Sequence, residues 1–166
     1  MSYRWVHFLG TIQTDQTEAE IEKVFGKPVC FEYTREEEPM DIPDRYFHEF
    51  CPKEREALEK FKKGEGILPG LEWHYIDTYK WAGHTACEGA LVTIEGDIPD
   101  ILYEIDGGIQ KVIDWFINGV KAINARESML KIDEELSDEI ILITGQFDKT
   151  QVRRFKKINE FRKEDD

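Results

Sequence analysis

Between residues 105 and 123, Ile105, Ile109, Val112, Ile113, Phe116, Val120 and Ile123 recur at helical spacing. A helix with one apolar stripe has to bury that stripe against another element. Several other apolar stretches have period two rather than 3.6, so the surface offered to the helix is a sheet. That pairing of periods is the strongest constraint on the fold.

Residues 3–12 alternate and are rich in aromatic and branched side chains, as a first strand would be. Thr17-Glu18-Ala19-Glu20 is a capping box, followed by the apolar stripe Ile21, Val24 and Phe25. Gly26 suits the position just past a helix, and Pro28 prevents continuation. Val29–Tyr33 reads as a second strand, and the proline- and acid-rich stretch 34–50 as a loop. Pro52 opens a helix with Ala57, Leu58 and Phe61 on one face, and Gly64 ends it.

Trp73–Trp81 alternates strictly, and with Glu88–Glu95 it is expected to form a hairpin. Gly107-Gly108 should fray the start of the long helix, so its solid part is expected near Ile109. Met129–Ile132 and Glu139–Thr144 read as later strands joined by an acidic turn at Asp133–Asp138. Gln151–Arg162, with Val152, Phe155, Ile158 and Phe161, is expected to close the chain as a helix. The element order predicts an α+β single domain. Its sheet should be mostly antiparallel or mixed, of about five to six strands, with two to four helices packed mainly on one face. Residues 1–148 would form the acidic body, and 149–166 a basic helical tail packed on it or extending from it.

At 166 residues the chain needs neither disulfides nor metal to support a core. Its net charge of −13 repels phosphate and anionic lipid, which argues against direct nucleic-acid or membrane binding. The same field would speed encounter with a basic protein partner. From Lys149 onward there are seven Lys/Arg and four Asp/Glu, a net of +3, leaving −16 for residues 1–148. Three cysteines (Cys30, Cys51, Cys87) without framework spacing suit a reducing compartment. There is no signal-like start and no apolar run of membrane-span length, so a cytoplasmic location is expected.

Four groups of residues are candidates for chemistry or recognition. His48-x-x-Cys51 and His84-x-x-Cys87 carry two pairs of zinc-competent ligands, although zinc pairs more often come as Cys-x-x-Cys with a His pair. Zinc is the one cofactor the sequence suggests, and the alternative is ordinary loop histidines beside half-buried thiols. Cys51 precedes a helix start, where a thiol pKa is lowered, but no catalytic-cysteine motif surrounds it. The acidic loop with Glu36, Glu37, Glu38, Asp41 and Asp44 is a docking surface for a basic partner, or a set of solvated carboxylates. Asp133–Glu139 is a second patch of this kind. Trp73, Tyr75, Tyr79 and Trp81 share a strand face with Asp77, as core or as a binding hot spot.

No phosphate-cradling loop, G-x-S-x-G, H-E-x-x-H or dinucleotide fingerprint occurs, so no catalytic residue is assigned. The leading expectation is a small acidic binding module, such as an inhibitor, immunity or phage accessory protein. A small hydrolase or transferase using the His/Cys set, and a structural homo-oligomer, are the alternatives.

Leu68-Pro69-Gly70, the aromatic strand, Ala90–Asp97 ending in Gly-Asp, and a helix bearing Asp114-Trp115-Phe116 together resemble small uncharacterised bacteriophage proteins. The resemblance covers residues 68–117, is interrupted by Ile98-Pro99 and Gly107-Gly108, and implies at most a phage or prophage accessory role. It brings no catalytic residues.

Overall fold

The first strand, β1 (Val6–Thr14), lies at the middle of a six-stranded sheet. The computed structural model describes residues 5–29, 52–77, 89–98, 105 and 107–158. The other strands are β2 (Glu72–Asp77), β3 (Ala90–Ile98), β4 (Glu127–Glu134), β5 (Glu139–Gln146) and β6 (Lys149–Lys156). They are ordered β2-β3-β1-β4-β5-β6, and every neighbouring pair is antiparallel. The helices are α1 (Glu18–Phe25), α2 (Pro52–Lys62) and α3 (Gly108–Ala122). The architecture is a single-domain α+β fold with an open sheet.

Alternation along β1 decides which face holds the core. Val6, Phe8, Ile12 and Thr14 are buried, whereas His7, Leu9, Thr11 and Gln13 point to the opposite, outer face. Register carries this division across the sheet, so Val92 and Ile94 of β3, Leu130 and Ile132 of β4, and Ile141 and Ile143 of β5 are also buried. The helices bury Ile21, Phe25, Leu58, Phe61, Val112, Phe116 and Val120 in the same cluster. All three therefore pack on the inner face.

The local signals act as their chemistry requires. Thr17 caps α1, its hydroxyl accepting from the Glu20 backbone N–H at 3.4 Å. Gly26 ends that helix at φ 89°, and a Cβ there would lie 2.9 Å from the Gly66 backbone. The Lys111 ammonium donates to the Lys62 carbonyl and so ties α3 to the end of α2. Between α1 and α3, the Phe25 and Trp115 rings meet edge to face with centroids 5.2 Å apart.

Trp73 and Tyr75 belong to the inner face. The Trp73 indole donates to the Gly26 carbonyl at 2.7 Å, and the Tyr75 hydroxyl donates to the Gln16 carbonyl at 2.8 Å. The two aromatics fasten β2 to both ends of α1. Their expected companions Tyr79 and Trp81 lie outside the described residues, as do residues 30–33 of the strand expected over Val29–Tyr33.

One expectation is corrected. The stretch from Lys149 is a strand as far as Lys156, paired to β5 from Gln146↔Lys149 to Glu139↔Lys156, and not the start of a closing helix. β6 is exposed almost throughout, so no burial imposes a period on its sequence. Beyond it, Lys157 turns back and places its ammonium 2.7 Å from Asp133 and 2.6 Å from the Glu134 carbonyl. The basic end of the chain thus neutralises part of the acidic turn.

Candidate functional site: the outer face of the sheet

The register that buries the inner face also gathers, on the outer face, side chains far apart in sequence. One row across the sheet runs Asp97, His7, Asp133, Ile140 and Phe155. The next runs Glu72, Glu95, Leu9, Lys131, Leu142 and Arg153. Among the described residues, no helix covers this face. Leu9 is 60% exposed, Phe155 48%, Ile76 40% and Met129 39%. The β2–β3–β1 half carries the histidines and most of their carboxylate partners together with exposed Leu9 and Ile76, whereas Met129 and Phe155 lie on β4 and β6.

His7 is held between two carboxylates. Its Nδ1 lies 2.6 Å from Asp97 on β3, and its Nε2 lies 3.2 Å from Glu135 in the β4–β5 turn. The bond to Asp97 does most to raise the His7 pKa above 6.5; partial burial opposes it and Glu135 adds to it. A raised folded pKa means that protonated His7 stabilises the fold fully below the unfolded value, and that this contribution disappears as pH rises through the folded value. The wild type is therefore expected to lose stability relative to His7→Gln as pH climbs from about 6 to about 8. Urea midpoints for the two proteins across that range check it, and parallel pH profiles would refute the coupling.

A second histidine stands at the other end of the acidic half. His74 Nε2 lies 3.2 Å from Glu95 and 3.6 Å from Glu72. Glu72 and Glu95 are direct cross-strand partners in the β2–β3 ladder.

Of the residues singled out from sequence, Trp73 and Tyr75 are structural ties and Asp77 ends β2. The acidic-loop residues Glu36, Glu37, Glu38, Asp41 and Asp44 lie outside the described residues, as do the zinc candidates His48, Cys51, His84 and Cys87. The Asp133–Glu139 patch is described. There Asp133 pairs with Lys157, Glu135 with His7, and Glu139 lies 4.0 Å from Arg154. In the segment resembling phage proteins, Gly96-Asp97 lies within β3, Trp115 packs on Phe25, and Phe116 is in the core.

The residues that sequence reasoning missed are His7, Asp97, Glu72, His74 and Glu95, together with the pairing of Glu135, inside the expected acidic patch, with His7. Only the two-residue spacing of Glu72 and His74 was visible in the chain; the other partners meet through strand register.

No family model, curated protein or solved structure matches this chain. Among the described residues, no helix is long and apolar enough to cross a membrane.

Proposed function

We propose that this chain is a non-enzymatic binding module that docks on a basic protein surface through the outer face of its sheet. One observation carries the reading. Glu72, Glu95, Asp97 and Glu135 stand beside exposed Leu9, on a face that no described helix covers.

Strand β1 pairs on both sides, and its inner side chains lie in the core, so the face is rigid before any partner arrives. A preformed face loses little conformational entropy on association. Exposed apolar residues beside a charged border match the usual division between the desolvated centre and polar rim of an interface. The net charge of −13 would attract a basic partner over roughly the 10 Å screening length at 0.1 M salt. Lys131 and Arg153 on the same face would set the register of the partner by pairing with its carboxylates.

A synthetic peptide alternating Arg/Lys with Leu is a suitable probe. Leu9→Arg places a cation in the middle of the face without disturbing the core, and should weaken peptide binding at least tenfold. Raising salt from 50 to 500 mM should weaken wild-type binding by a similar factor or more. Equal affinity of wild type and Leu9→Arg, or indifference to salt, would contradict the reading.

A further inference from the structure

The two histidine clusters on the outer face differ in a way that matters for chemistry. At His7 the carboxylates approach opposite nitrogens, Asp97 at Nδ1 and Glu135 at Nε2, so the three groups cannot converge on one ion. At His74 both carboxylates approach the same nitrogen, Nε2. One ligand atom each from Glu72, His74 and Glu95 lies within 4.8 Å of the others.

We propose that Glu72, His74 and Glu95, at the acidic border of the same face, form a binding site for a divalent first-row transition cation such as Mn²⁺ or Zn²⁺.

Ligand spacing supports this. Protein N and O atoms bind such ions at about 2.0–2.2 Å, so neighbouring ligands in a tetrahedral or octahedral shell stand about 3.0–3.5 Å apart. The His74–Glu95 and His74–Glu72 separations of 3.2 and 3.6 Å are close to those edges. The Glu72 and Glu95 ligand atoms lie within 4.8 Å of each other, and rotation of these side chains would close the set on an ion.

Strand pairing supplies a separate reason. Like charges placed directly opposite on adjacent strands destabilise a sheet, and Glu72 faces Glu95 in that way. A dication seated between the two carboxylates would offset that repulsion. One imidazole with two carboxylates is a borderline-to-hard donor set, which favours Mn²⁺, Fe²⁺ or Zn²⁺ over ions that need thiolates. The His74 and Glu95 side chains are more than half exposed, which leaves an entry path and coordination positions for water.

The test uses the full chain stripped of metal by chelation. Mn²⁺ is the probe because thiolates bind it poorly, so Cys30, Cys51 and Cys87 do not compete. Substoichiometric Mn²⁺ should broaden the backbone amide signals of residues 72–76 and 93–97 ahead of the rest, and Zn²⁺ should reverse the broadening. His74→Ala and Glu95→Gln should each raise the apparent Kd at least tenfold, whereas Glu59→Gln on α2 should leave it unchanged. Broadening spread evenly over surface carboxylates, or an unchanged Kd in His74→Ala, would overturn the site. Peptide affinity is read separately, from wild type against Leu9→Arg in metal-free protein, so the two proposals fail separately.

Discussion

Gly119→Ala should lower the stability of this protein by about 1–3 kcal/mol, the usual range for overpacking a well-filled core. The sign is the informative part. In the interior of an exposed helix, alanine is about 0.8–1.0 kcal/mol better than glycine, so propensity alone forecasts stabilisation. Gly119 is instead buried in α3, where a Cβ would run into the Phe25 ring of α1. Phe25 has nowhere convenient to go, because its ring already packs edge-on against Trp115 and is 1% exposed. Its own backbone carbonyl accepts from the Trp115 indole, which holds the same crossing. Chemical denaturation of wild type and variant decides between the two effects. A stabilised Gly119→Ala would show that α1 and α3 do not approach as closely as the structure has them.

Phe116→Ala is expected to cost more, about 3–5 kcal/mol. Phe116 is fully buried on the stripe that α3 lays over the sheet, one turn from Val112 and Val120, which are also fully buried. Truncation removes the transfer energy of the ring and leaves a cavity between a helix and a rigid sheet, which cannot collapse cheaply. A loss of that size is a large part of the stability of a typical domain, so the variant should be partly unfolded at moderate urea. A fall of under 1 kcal/mol would mean that α3 is not seated on the core as described.

Much of this fold was legible in the chain because burial stamped a period on it. The long apolar stripe became α3, and the helix begins at Gly108, beside the expected start at Ile109. The Thr17 N-cap and the Pro52 start are both borne out. So is the antiparallel pairing of β2 with β3 and of β4 with β5.

β6 was not legible, and the reason is physical. Val152 and Phe155 fall on opposite faces of a strand that is open to solvent on both, so neither the two-residue nor the helical period is enforced. Their three-residue spacing imitated a helix.

The candidate site was less visible still. His7 and Asp97 are 90 residues apart, and His7 and Glu135 are 128 apart. Nothing in local sequence marks those residues as neighbours, since only the placement of β1 between β3 and β4 brings them together. The acidic charge read from composition pointed to a basic partner. The face that could meet one emerged from register.

The central claim is that the outer sheet face is the docking surface, and mapping a bound basic peptide by backbone amide shifts tests it most directly. The expected result is a contiguous set of shifted signals at residues 7–13, 72–76, 93–97 and 131–135, fading at high salt, with α1, α2 and α3 unmoved. Shifts confined to the helical side, or no saturable shift on the outer face, would contradict it.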